Sequence, residues 1–158
     1  MPKQYWLMKS EPDAFSIDDL AAVAQEPWSG VRNYQARNSM RDDMRVGDEV
    51  LFYHSNAKPA GIVGLARIAR TAYPDETQFD PESDYYDPKA TRETPRWFMV
   101  DVQFVSKFSK ILSLAEIKSH AHLFSADFVP VRKGSRLSVA PVSAEDFRTA
   151  VQLAKSKR

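Results

Sequence analysis

A chain of 158 residues, 43% of them hydrophobic, can fill one core and is too short for two ordinary domains, so a single domain is expected. Twenty-two basic against 21 acidic residues leave a formal charge of +1, and any contact with nucleic acid must therefore come from local charge. The absence of cysteine excludes disulfides and thiolate chemistry, and the opening MPKQYWLMKSEPD has no apolar run suited to a signal peptide or membrane span, so a cytosolic location is expected.

Gln4 to Met8 reads as a short strand that Pro12 prevents from running on, which leaves Lys9 and Ser10 at its end. Ser16 and Asp19 resemble a capping box, opening a short helix whose buried edge is Ile17, Leu20 and Val23. Pro27 then breaks the chain ahead of Trp28, Ser29 and Gly30.

The stretch from Trp28 to Asn56 organises the rest. Asn33 can cap a helix by accepting from an orphan backbone N–H, and Gly47 can supply the left-handed turn that stops it, so Tyr34 to Met44 is the expected helix body. Four-residue spacing puts Ala36, Met40 and Met44 on one stripe and Arg37, Arg41 and Arg45 on the next. Those arginines read either as a solvated face paired with Asp42 and Asp43 or as a row facing phosphate. Glu49 to Tyr53 follows as a strand apolar on both faces, hence central in its sheet.

Gly61 to Ala69 reads as a second strand, with Ile62, Gly64, Ala66 and Ile68 sharing a face open to close approach by backbone or ligand. Tyr73 to Pro95 carries four prolines and six carboxylates between Asp75 and Asp87 and reads as a long surface excursion, with Phe79, Tyr85 and Tyr86 as points that pack down. Trp97 to Phe104 alternates cleanly, placing Phe98, Val100, Val102 and Phe104 inward and Asp101 and Gln103 outward. Ser113 and Glu116 form a capping box before a short helix, and Ser143 caps a last helix with Phe147, Ala150, Val151 and Ala154 on its apolar stripe. Between them, Phe128 to Val131, a Lys133-Gly134 turn and Arg136 to Val139 read as a hairpin. Without regular strand-helix alternation, a doubly wound sheet is excluded in favour of an α+β, mainly β fold, a small curved sheet or partial barrel with peripheral helices.

No glycine-rich phosphate loop, GxSxG elbow or HExxH occurs, and His120 and His122 diverge on a helix, so neither metal nor cofactor is expected. What remains is a set of planar, basic and amide side chains: Lys9, Ser10, Trp28, Ser29, Arg32, Asn33, Tyr34, Arg37, Tyr53, His54, Ser55, Asn56 and Arg136. That inventory suits a base and its phosphate, since each stacking contact contributes roughly 1 to 3 kcal/mol, comparable with the cost of taking a base out of a duplex. Trp28 also reads as a wedge packed under the sheet.

YWLMKSEP at Tyr5 to Pro12, GVRNYQARN at Gly30 to Asn38, VGDEVLFYHSN at Val46 to Asn56, GIVG at Gly61 to Gly64, YYDPKA at Tyr85 to Ala90 and RLSV at Arg136 to Val139 resemble the EVE family over nearly the whole chain. The resemblance implies a PUA-like pseudo-barrel of mixed strands with helices outside, kinship to the YTH readers of methylated adenine, and an association with modified cytosines in DNA. Lys9-Ser10 and Trp28-Ser29 look like the Lys-Ser and Trp-Ser pairs of YTH readers. Carried over, Trp28 is one wall of an aromatic cage and Lys9 or Ser10 a phosphate contact. Where YTH readers have an Asn pair, this chain has Glu11, Asp13 and Phe15, and a carboxylate there favours the exocyclic amine of cytosine. Tyr53, Tyr85, Tyr86 and Trp97 are candidates for the second wall.

The expectation is a non-catalytic reader of 5-substituted cytosine in DNA or RNA, flipped or single-stranded, acting as a monomer and away from membranes. Trp28, Ser29, Asn33, Tyr34, Tyr53, His54, Asn56 and Glu11 are its expected base contacts, and Lys9, Ser10, Arg32, Arg37 and Arg136 its phosphate contacts. Two other readings stand beside it. One is a PUA-like hydrolase of modified nucleosides using Lys9 and Glu11, and the other a general RNA-binding module.

Overall fold

The computed structural model describes residues 3–132 and 137–156. One six-stranded sheet contains β1 (Tyr5–Ser10), β2 (Gln25–Pro27), β3 (Glu49–His54), β4 (Gly61–Pro74), β5 (Phe98–Ser113) and β6 (Val139–Val142), in the order β2-β5-β4-β3-β1-β6. β1 and β3 run parallel, whereas the other neighbours are antiparallel. Helices α1 (Ile17–Val23), α2 (Tyr34–Asn38), α3 (Leu114–Ser119) and α4 (Ala144–Ser156) surround it. This is the expected mainly-β α+β fold, with the mixed sheet left open between edge strands β2 and β6.

The strand from Glu49 is central, as its two-sided apolar pattern requires. Val50 and Phe52 belong to one core with Trp6, Met8, Leu20, Trp28 and Met40, while Leu51 and Tyr53 belong to a second with Ile62, Phe128 and Ala150. At α2, Asn33 Oδ1 accepts from Ala36 N–H at 3.0 Å, and Ala36, Met40 and Met44 are buried. The helix ends earlier than expected, however. After Asn38 it widens into a π-helical turn over Ser39–Asp43, and Met44 is already extended. Gly47, at φ 95°, instead turns the chain into β3 and donates its N–H to Ile68 O at 2.9 Å. The buried Asp48 carboxylate accepts from Trp6 Nε1 and Arg45 N, both at 2.9 Å, tying this turn to β1.

Both capping boxes form, and Ser143 Oγ accepts from Asp146 N–H to start α4, whose Phe147, Ala150 and Ala154 are buried. Other expectations are corrected. β1 runs through Lys9 and Ser10, Val23 is 53% exposed, and Gln25–Pro27 pairs with β5 as an edge strand, where proline is tolerated because no partner needs its N–H. Ile62 does not share a face with Ala66 and Ile68. Register shifts on both sides of β4 near Ile62 turn it into the second core while the others face the first. What approaches Gly64 is backbone, since an added Cβ would lie 2.4 Å from Ser106 O. Asp101 is buried because Tyr73 Oη donates to its carboxylate and Gln25 Nε2 does so at 3.1 Å.

The expected surface excursion is docked. Asp75 and Gln78 are fully buried. The Gln78 amide donates to Asp75 O and Trp97 O, both at 2.8 Å, and accepts from Arg96 and Trp97 N–H, both at 2.9 Å. The expected hairpin is absent from its first arm, because Val129–Val131 is a 3-10 turn built around Pro130 and Val139–Val142 pairs with β1. Its turn, with Arg136, lies outside the described residues. Among the described residues, no helix is long and apolar enough to cross a membrane, and no cluster of three His, Asp or Glu could hold a metal ion.

Candidate nucleic-acid interface

The parallel pair β1 and β3 ends side by side, with Ser10 opposite His54 and Ser55 N–H donating to Ser10 O at 3.0 Å. Beyond these carboxyl ends, residues 10–11 and 55–56 meet the segment leaving β2. The result is a cleft of about 900 Å³. Lys9, Ser10, Glu11, Trp28, Ser29, Arg32, Ser55 and Asn56 line it, so much of the expected set converges. Sequence reasoning missed Ala14, Phe15, Glu26, Pro27, Gly30, Val31 and Ser138. Most of these are small or backbone contributors with no chemical signature, but Phe15 follows a strand end and faces Trp28, which is visible only in three dimensions.

Trp28 forms the floor. It is 8% exposed and wedged edge-to-face against Phe52 at 5.6 Å and Phe15 at 6.4 Å. Trp28 is therefore a core wedge, as one of its two readings has it, and it also lines the cleft. Of the four candidates for a second wall, only Tyr85 lines the cleft. Its ring rests on Gly30, which adopts φ 83°, and an added Cβ would meet that ring at 2.8 Å. Gly30→Ala is expected to cost about 1 to 2 kcal/mol from the left-handed backbone alone and to push Tyr85 outward. Chemical unfolding and ligand affinity measured together would check both consequences.

The wall is held by a buried carboxylate. Asp75 accepts from Gly30 N–H at 2.7 Å, Thr77 Oγ1 at 2.6 Å, Thr77 N–H at 2.9 Å and Arg32 Nη1 at 3.2 Å. Burial works to raise this carboxyl, but the bonds from Thr77, Gly30 and Arg32 outweigh it and hold Asp75 below its ordinary value. Arg32 in turn donates to Tyr85 O through Nη2 at 2.8 Å and Nε at 3.1 Å, and its guanidinium lies 5.4 Å from the Tyr85 ring centre. Arg32 is thus committed to holding the wall.

Lys9 is differently placed. Its Nζ lies 5.4 Å over the Tyr53 ring, burial lowers its pKa, and no carboxylate pairs with it among the described residues. It is the half-buried lysine of the cleft available to a ligand anion. Glu11 at the rim accepts from the Asn56 amide, and Asn56 itself holds a left-handed φ of 49°. Ser10 Oγ donates to Phe15 O at 2.7 Å, so its proton is used within the turn and only its lone pairs face a ligand.

Five expected contacts stand outside the cleft. Asn33 caps α2, and Tyr34 stacks on Trp97 at 4.8 Å with half its surface exposed. Tyr53 is buried in the second core, where desolvation raises its pKa. His54 accepts from Ile17 N–H at Nε2, 3.1 Å, and desolvation lowers its pKa, consistent with a neutral ring supporting the start of α1. Arg37 donates to Arg96 O at 2.9 Å and to Asn38 Oδ1.

The EVE domain family model matches residues 4–153. The chain is 43% identical to thymocyte nuclear protein 1 of Homo sapiens over 165 residues, which span 94% of this chain and 73% of that protein. It is also similar to a solved protein of Pseudomonas putida, with a TM-score of 0.90 and 52% identity over 95% of this chain and 99% of that one. A further match is the crystal structure of human THYN1 protein in complex with 5-methylcytosine containing DNA, with a TM-score of 0.91 and 41% identity over 99% of this chain and 100% of that one. Motifs, fold and family match coincide along almost the whole length, and the chain belongs to the EVE domain family.

Proposed function

We propose that this protein is a non-catalytic reader of modified bases in nucleic acid, taking a 5-substituted cytosine, flipped or single-stranded, into the cleft at the ends of β1 and β3. The observation that carries the reading is the composition of that cleft: an aromatic floor at Trp28 and Phe15, a Tyr85 wall and an unpaired Lys9, in a fold matching one seen with 5-methylcytosine containing DNA. Lys9 meets phosphate, and Glu11 and Asn56 present an acceptor and an amide to the base edge. Reading requires the rim bond between them to exchange for bonds to the base.

The same bond weighs against hydrolysis. Lys9 and Glu11 form no ion pair, and Glu11 is engaged by an amide rather than by a proton donor suited to acid-base work.

Tryptophan fluorescence during titration with short single strands carrying cytosine, 5-methylcytosine, 5-hydroxymethylcytosine or N6-methyladenine tests the proposal, in deoxy and ribo forms. One methyl in an apolar pocket discriminates by about 1 to 3 kcal/mol, so a preference of roughly 5- to 150-fold over cytosine is expected. Lys9→Ala should weaken all ligands alike and flatten the salt dependence by roughly 0.7 in logarithmic slope. Equal affinity for all four bases would sink the proposal, and turnover of an acylated cytidine would replace it with hydrolysis.

A further inference from the structure

Outside the cleft, a row of alternating cations and rings runs from its lip along α2. The Arg32 guanidinium lies between Tyr85 at 5.4 Å and Trp97 at 5.3 Å, Tyr34 stacks on Trp97 at 4.8 Å with an interplanar angle of 24°, and the Arg37 guanidinium lies 4.7 Å from the Tyr34 ring. Each member is fixed by the fold. Trp97 Nε1 donates to Asp87 at 2.7 Å, Arg37 is held by Arg96 O, and Asn33, capping α2 immediately before Tyr34, sets where that side chain leaves the backbone. Yet Tyr34 is 51% exposed, whereas the Trp97 on which it stacks is 6% exposed.

From this row we infer a second base-binding site: Tyr34 is a stacking platform for a nucleotide that flanks the base in the cleft, with the Arg37 guanidinium beside its phosphate. The inference rests on the reader function proposed above and adds the strand on which the base is presented. A half-exposed tyrosine stacked on tryptophan, with a guanidinium over its ring, suits sequence-independent stacking, because every base offers a π-face that can lie on an aromatic ring or on the arginine plane, and arginine also meets phosphate. The Asp87 carboxylate accepts from Trp97 Nε1 and Lys89 N–H, so it holds the tryptophan under Tyr34. The ligand is therefore a single strand, DNA or RNA, entering over α2 rather than an isolated nucleotide.

The test compares 5-methylcytidine monophosphate with short single strands carrying one central 5-methylcytosine, in deoxy and ribo forms, on the wild-type chain, Tyr34→Ala and Tyr34→Phe. Wild type should bind strands more tightly than the mononucleotide. Tyr34→Ala should remove about 5- to 100-fold of strand affinity, the worth of one stacked base, and narrow that ratio, whereas Tyr34→Phe should keep it. If strand affinity is unchanged in Tyr34→Ala, or if the mononucleotide loses as much as the strand, the platform is wrong while the cleft stands. If wild type binds neither modified ligand, the reader function fails and the platform with it. Whichever sugar gives the larger alanine effect identifies the strand.

Discussion

Asp75→Ala is expected to destabilise the protein by about 3 to 5 kcal/mol and to abolish cleft binding in whatever fraction stays folded. Its side chain is wholly buried and receives four hydrogen bonds, from Gly30, Arg32 and both donor groups of Thr77. Removal leaves a guanidinium only 21% exposed without its ion-pair partner and orphans the N–H of the glycine on which Tyr85 rests. Arg32→Ala should cost less, because Asp75 would keep its Gly30 and Thr77 donors. In a domain of this size the larger effect corresponds to a melting temperature lower by roughly 6 to 20 °C. Urea unfolding would decide the point, and a loss under about 1 kcal/mol would mean that the ion pair neither stabilises the loop nor holds the wall. The acid dependence has a fixed sign. Since Asp75 sits below its ordinary value of 3.8 when folded, its contribution is complete above that pH and is lost as pH falls through the folded value.

The anchoring role of Asp75 also explains what the sequence concealed. In a segment with four prolines and six carboxylates, one aspartate looks like another, and nothing local marks the one that turns inward. Its burial follows from Gly30 and Arg32, which are 45 and 43 residues away. By contrast, features set by neighbours in sequence were legible. The Asn33 cap, the two capping boxes and the two-sided strand from Glu49 to Tyr53, which the structure extends by one residue to His54, all appear where the residues place them, because their determinants lie within a few positions. The bulge that turns Ile62 away from Ala66 was hidden, since it arises from mismatched registers against β3 and β5. The early end of α2 was hidden for a similar reason. Met44 has to leave the helix so that Asp48 can reach Trp6 on β1. Among candidate site residues, Lys9, Ser10, Glu11, Ser55 and Asn56 could be placed from the strand termini alone, whereas Tyr53 and His54, at the same terminus, could not be excluded. Strand alternation and the bulge between Phe52 and Tyr53 decide which way each ring points.

Trp28 separates the two functions that one side chain can serve. Trp28→Ala should cost about 3 to 5 kcal/mol, because it empties a volume enclosed by Phe15 and Phe52 in the main core. For a domain with ordinary stability of about 5 to 15 kcal/mol this approaches unfolding, so lost binding in that variant would say little about the cleft. Trp28→Phe is the informative change. It keeps an edge-to-face partner for both neighbours and should cost about 1 to 3 kcal/mol, while the smaller ring withdraws from the cleft floor. Affinity for 5-methylcytosine strands should then fall about 5- to 100-fold with the melting transition still cooperative. With 5-methylcytidine monophosphate, the ligand-induced fluorescence change should fall with it, because Trp6 is held by Asp48 in the core and Trp97 by Asp87 under Tyr34, and neither lines the cleft. Full affinity in a folded Trp28→Phe protein would reduce this tryptophan to a core wedge and pass the stacking role to Phe15 and Tyr85.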